Sequence, residues 1–141
     1  MITRENILNR IFIGLQKNKE ASFMNFSVLI SKVYNKFWVV HWCVSVLTAM
    51  MTIVLYPRLP QEVPTHFGFG SADNPGSKLE IFVLPVILIV FGLISSRKLI
   101  DQQYADLTIQ NTLSKSLMLV LMVVVWCGVV LALYTYYQLA W

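Results

Sequence analysis

The sequence predicts an all-α integral membrane protein with three transmembrane helices, an N-terminal amphipathic helix or helices, and a structured extracellular loop rich in Pro and Gly. Composition gives the class: 57% of the 141 residues are apolar and only 13% charged, whereas an average soluble domain has roughly 25% charged residues. Three runs, residues 37–56, 79–95 and 117–137, are apolar over the roughly 20 residues that a hydrocarbon core requires. Between the first two lies LYPRLPQEVPTHFGFGSADNPGSK, a polar stretch punctuated by Pro and Gly and therefore a shaped loop, not another helix. The chain divides accordingly into a cytoplasmic amphipathic region, residues 1–36, and a three-span membrane domain, residues 37–141.

Residues 1–20 lack the pattern of a cleavable signal, because Asn9 and Arg10 interrupt the apolar core and no small-residue cleavage site follows. Ile7, Leu8, Ile11, Phe12 and Leu15 recur at helical spacing, and Thr3 is placed to cap them. This helix is expected to lie along the membrane surface or to pack against a partner. Lys17-Asn18-Lys19-Glu20 then breaks the pattern. A second amphipathic piece, residues 22–36, with Phe23, Phe26, Ile30, Val33 and Phe37 on one side, leads into the first span.

In the first span His41, Ser45, Thr48 and Thr52 share one helical face, which Tyr56 continues. Polar atoms facing lipid lack partners, so this intramembrane stripe should face another helix. Two readings fit it: a polar track lined by His41, as in a small transporter or proton-coupled sensor, or hydrogen bonds between helices together with hydroxyls bonded back to their own helix. The second span holds Pro85, a candidate kink, and Gly92, which permits close approach to the first span. The connection 96–116 is polar, with Ile100, Tyr104 and Leu107 suggesting that the second helix continues into it. Asn111, Thr112 and Ser114 are candidate caps for the third span, where Gly128 and Ala132 form a small-xxx-small pair suited to a close helix contact. Cys43 and Cys127 both fall inside spans and act as small apolar groups, implying neither disulfide nor metal.

Basic residues set the expected orientation, because cytoplasmic flanks carry the excess. Arg4, Arg10, Lys17, Lys19, Lys32 and Lys36 precede the first span; Arg58 and Lys78 flank the loop; Arg97, Lys98 and Lys115 lie in the second connection. The N-terminus and the loop 96–116 are thus expected in the cytoplasm, the loop 57–78 and the C-terminus outside. The net charge of +4 reads as this topology plus attraction to the lipid bilayer, with no nucleic-acid partner. Trp38 and Trp42 at one end, and Tyr134, Tyr136, Tyr137 and Trp141 at the other, read as interfacial anchors.

Chemistry, if present, belongs in the external loop, with Glu62, His66, Asp73 and Lys78. One histidine and two acids fall short of a zinc ligand set, and neither Ser71 nor Ser77 sits in a nucleophile elbow. No catalytic residues, no metal and no cofactor are therefore expected, and the protein is not read as an enzyme. The ordered run Leu59-Pro60, Val63-Pro64, His66-Phe67, a glycine-rich turn, Asp73 and then Ser77-Lys78 directly before a span resembles the LPxxVPxHF…SK loop of an N-terminal membrane domain of unknown function found in SdpI-like immunity proteins. Here the turn is about one residue shorter than in that pattern and holds Pro75 where an aromatic is frequent. The resemblance implies a small bacterial inner-membrane binding protein that gives immunity or resistance to a secreted, membrane-active peptide toxin through this loop. The competing expectation is an accessory or regulatory subunit of a larger membrane complex or transporter, and an oligomer is compatible with either.

Overall fold

The computed structural model describes the backbone of residues 4–64 and 75–141 and the side chains of residues 12–63 and 76–141. In chain order these form helix α1 (Arg4–Leu55), a 3-10 turn (Tyr56–Arg58), strand β1 (Glu62–Pro64), strand β2 (Pro75–Ser77), a second 3-10 turn (Lys78–Phe82), α2 (Val83–Ile94), α3 (Arg97–Gln103) and α4 (Ile109–Ala140). Among the described residues three stretches are long and apolar enough to cross a membrane: Phe12–Arg58, Lys78–Gln103 and Ile109–Ala140. The protein is a multi-pass, largely helical membrane protein.

The expected break at Lys17–Glu20 does not occur, because the separate amphipathic helices and the first span are one helix of 52 residues. Loss of apolar periodicity removes a packing face without removing helix propensity. Gln, Lys, Glu and Ala all favour the helix, and Gln16 Nε2 donates to Glu20 Oε1 at 3.4 Å across one turn. At about 1.5 Å per residue α1 is about 78 Å long, well over twice a hydrocarbon core of about 30 Å. Its early part, including Phe12, Ile13, Leu15, Met24 and Phe26, is exposed.

Pro85 falls in the first turn of α2, where its missing N–H is no loss. It cannot donate to the Ile81 carbonyl, and the chain before it winds as a 3-10 turn rather than as a longer, kinked α-helix. Five 3-10 residues at about 2.0 Å and twelve α residues at about 1.5 Å give a crossing of about 28 Å. Nor does the helix run on into the connection. It stops at Ser95, Ser96 is extended (ψ 130°), and α3 restarts at Arg97. The expected caps Asn111, Thr112 and Ser114 lie inside α4, which begins a turn earlier. The cap there is Thr108, whose Oγ1 accepts from Asn111 N at 3.3 Å.

The otherwise α-helical architecture gains one small sheet. Glu62, Val63 and Pro64 pair antiparallel with Ser77, Gly76 and Pro75 at the neck of the loop. Pro57, Pro60 and Pro64 forbid a regular helix there, and prolines at the end of a two-stranded ladder cost it little. Lys78 N donates to Gln61 O at 3.1 Å, and Ser77 Oγ accepts from Leu79 N at 3.3 Å, fastening the neck to the start of the second crossing.

Outward faces of the helices are apolar: Val46, Leu47, Ile53, Val90, Leu93, Val124 and Leu131 are all exposed, and so are Cys43 and Cys127. The interior holds Ser27, His41, Ser45, Thr48, Thr52, Ser95, Asn111, Thr112 and Lys115. This distribution suits a bilayer, where lipid solvates the outside and polar contacts hold helices together. Gly128 does not make the expected close contact, since nothing lies within 4 Å of a Cβ built on it. Gly92 does: a Cβ there would stand 2.9 Å from His41 Cδ2 and Nε2 and 3.3 Å from Trp42.

Gly92→Ala is therefore expected to force α2 off α1 and to lower stability by about 1–3 kcal/mol, the usual cost of overpacking. Gly128→Ala should leave stability unchanged or raise it by up to about 1 kcal/mol through helix propensity. Thermal unfolding of the purified protein in detergent checks both, and equal effects at the two positions would contradict the packing described.

Candidate functional site

Three polar features stand out along the bundle: a seam between α1 and α2, an ionic cluster at the α3 end, and the neck of the loop at the other end.

The seam follows from helix geometry. Tyr34, Trp38 and His41 lie on one face of α1, and α2 runs antiparallel beside it. Tyr34 Oη donates to the Ser95 carbonyl, Trp38 Nε1 to the Gly92 carbonyl at 3.3 Å, and His41 Nε2 lies 2.8 Å from the Leu88 carbonyl. The residues 34 to 41 thus match the carbonyls 95 to 88, the same seven-residue step on both helices. Trp126 Nε1 of α4 donates to His41 Nδ1 at 2.9 Å. Because Nδ1 accepts, the proton of a neutral ring sits on Nε2 and is given to Leu88 O. The ring is fully buried, stacks on Trp126 at 6.1 Å and 18°, and lies 5.7 Å from Phe91.

The rest of the stripe is buried as well, but its hydroxyls turn back on their own helix. Ser45 Oγ donates to His41 O and Thr52 Oγ1 to Thr48 O, each at 2.8 Å. Tyr56, at the end, packs its ring 5.2 Å from Phe82. Trp38, expected as an interfacial anchor, is half-buried in the seam, and Tyr136, at the other end, is only 3% exposed.

At the α3 end Lys115 is fully buried and donates to Asp101 Oδ1 at 2.8 Å, Asp106 Oδ1 at 2.8 Å and Ser31 Oγ at 3.0 Å. Arg97 Nε meets Asp101 Oδ2 at 2.9 Å. Asn111 Nδ2 donates to Asp101 Oδ1 at 2.9 Å and Tyr104 O at 3.0 Å, while Thr112 Oγ1 donates to Ser27 Oγ at 3.0 Å. The chain reverses at Leu107, whose φ of 62° is left-handed and costs a non-glycine residue about 1–2 kcal/mol. Its N–H donates to Asp106 Oδ1 at 3.0 Å, so the strained turn presents that carboxylate to Lys115. The hydrogen bond from Lys115, only partly offset by desolvation, holds the Asp106 carboxyl below its ordinary range.

At the loop end Leu59 and Val63 are buried with Leu55, Ile81, Ala132 and Tyr136. Pro60 is exposed, as is Ser77, which caps the following turn. Lys78 Nζ stands 4.9 Å over the Tyr56 ring, and the Arg58 guanidinium stands 3.9 Å over the Trp141 ring. His66, Phe67 and Asp73, together with the side chain of Pro64, lie outside the described residues. The structure therefore brings Leu59, Val63, Ser77 and Lys78 together with Tyr56 at one end of the bundle and places His41 in the seam.

Tyr34, Trp126, Arg97, Asp101, Asp106, Asn111 and the pairing of Lys115 were not marked as a site by the sequence. The available signal was two aspartates in the short connection before a lysine at the edge of a span. With the fold of a multi-pass, three-span membrane protein in place, a domain of unknown function, DUF1648, is found at residues 43–89. It takes in Ser45, Thr48, Thr52 and Tyr56 of the stripe, the loop neck and Val83–Ile89 of α2, and leaves out His41, Gly92 and the ionic cluster. Neither the curated proteins nor the solved structures give a match to the chain.

Removing Lys115 strands two carboxylates against each other. Lys115→Ala is expected to destabilise by about 2 kcal/mol, below the 3–5 kcal/mol of a fully buried pair, because the Asp101 and Asp106 side chains keep 26% and 44% exposure. Asp106 has a depressed pKa, so its contribution is complete above the ordinary carboxyl value of 3.8 and is lost as pH falls below it. The unfolding midpoint of the wild type should drop on acidification through that window, and Asp106→Asn should start lower and drop less. A slope unaltered by Asp106→Asn would overturn the assignment.

Proposed function

We propose that this protein is a small binding protein of a bacterial inner membrane, of the SdpI-like type. Its extracytoplasmic loop engages a membrane-active peptide toxin and so gives immunity or resistance. The observation carrying this reading is the loop neck. The segments of the LPxxVPxHF…SK pattern on either side of the turn are paired as β1 and β2 and anchored in the bundle by Leu59 and Val63. A loop whose two ends are fixed loses less conformational freedom when it binds. The DUF1648 match spans this motif and supports placing the function there.

The proposed arrangement has the N-terminus in the cytoplasm and the hairpin and Trp141 outside. In a Cys43→Ala, Cys127→Ala background, Ser77→Cys should react with a membrane-impermeant maleimide on intact cells. Lys19→Cys should react only after permeabilisation, and the reverse pattern would invert the topology.

Expression in a toxin-sensitive host should raise survival against a membrane-active peptide, and His66→Ala and Lys78→Ala should remove most of that protection at equal membrane levels. Sensitivity unchanged across a panel of such peptides would count against immunity. A second reading, an accessory subunit of a larger membrane complex, is favoured by the early part of α1, where Phe12, Leu15, Met24 and Phe26 are exposed ahead of Ser27. Mild-detergent purification with crosslinking tests it: a co-purifying membrane protein retained through α1 supports this reading.

A further inference from the structure

We propose that the groove at the α3 end of the bundle, between Trp38 of α1 and the residues that follow Ser95, binds the phosphate of an anionic phospholipid. The groove has a volume of about 590 Å³ and is lined by Trp38, Ser96, Arg97, Lys98, Asp101 and Gln102. It opens where the second crossing ends, about 28 Å of helix from Lys78, close to the thickness of a hydrocarbon core. That places it at headgroup depth.

The charge balance selects an anion. Asp101 also lines the groove, but its Oδ1 accepts from Lys115 and Asn111 and its Oδ2 from Arg97. Lys115 and Arg97 together balance Asp101 and Asp106, so the ionic cluster is neutral as a set. Lys98 is outside it: the side chain is exposed and has no ion pair among the described residues. Lys98 supplies the unbalanced positive charge, and the exposed Gln102 amide adds donors beside it.

Lipid, rather than dissolved phosphate, follows from the opposite wall. The Trp38 N–H is committed to the Gly92 carbonyl, so the indole offers only apolar surface to the groove. An amphipathic ring at headgroup depth beside a lysine suits the glycerol and first methylenes of a lipid below its phosphate. This site lies at the end of the molecule opposite the loop, and its test does not depend on the toxin reading.

The test uses the full chain purified in neutral detergent, with its thermal midpoint followed as phosphatidylglycerol, phosphatidylcholine or inorganic phosphate is added. Phosphatidylglycerol should raise the midpoint at micellar fractions where the other two do not. Lys98→Gln should leave the lipid-free midpoint unchanged and weaken the apparent affinity roughly five-fold, the effect of one basic residue near an anionic headgroup. Lys19→Gln, remote on α1, should leave the response unaltered. An equal response to phosphatidylcholine or to inorganic phosphate would overturn the proposal, as would full response in Lys98→Gln or an equal loss in Lys19→Gln.

Discussion

The bundle depends on a single constraint, the need to satisfy backbone carbonyls where the second crossing stops. A helix ending near the edge of the hydrocarbon leaves its last carbonyls without intrahelical donors, and lipid supplies none. Here α1 supplies them. Tyr34 reaches Ser95 O and Trp38 reaches Gly92 O at that end, and His41 adds a contact to Leu88 O one turn deeper, a carbonyl in the interior of α2. Because each donor matches one acceptor over the same step, the register of α1 against α2 is fixed to the residue. Sliding α2 by one position would leave all three carbonyls facing the wrong side chains. Trp126 then ties α4 to the same level through the other nitrogen of His41, so one imidazole fastens three helices.

Different forces act at the two ends, and each fits its surroundings. Hydrophobic burial needs water to drive it, and the apolar cluster of Leu55, Leu59, Val63, Ile81, Ala132 and Tyr136 sits where the chain leaves the bundle for the loop. At the α3 end Ile100 joins Tyr34 and Met122 in a second apolar cluster, and an ionic cluster is added to it. There Lys115, Asp101, Asp106 and Arg97 hold α3 and the turn at Leu107 against α1 and α4. Between α1 and α2 the absence of a side chain at Gly92, where a Cβ would meet His41 and Trp42, lets the backbone of α2 approach His41.

Much of this was legible in the sequence, and the rest was not for identifiable reasons. Three apolar runs, the shared face of His41, Ser45, Thr48 and Thr52, and the approach of Gly92 follow from helical periodicity and side-chain size. The unbroken α1 is not legible from apolar spacing, because Lys17, Lys19 and Glu20 need no packing face to remain helical. The stop at Ser95 was missed because it depends on Tyr34, sixty-one residues away. Lys115 reads in the sequence as a charge that sets topology. Its pairing with Asp106 requires a reversal at Leu107, and no glycine there announced a left-handed turn. Nothing local to Trp126 in the sequence reveals that its N–H faces His41.

The hydrogen bonds of these polar groups bear on the two uses of the intramembrane stripe. A path for protons or small polar solutes requires donors and acceptors that can exchange partners along its length. Ser45 and Thr52 instead give their protons to carbonyls of their own helix, one turn back. His41 has both ring nitrogens engaged and its ring enclosed between Trp126, Phe91 and Gly92. The stripe is therefore better suited to joining helices than to conducting, and a joined, rigid bundle favours functions exercised at its ends.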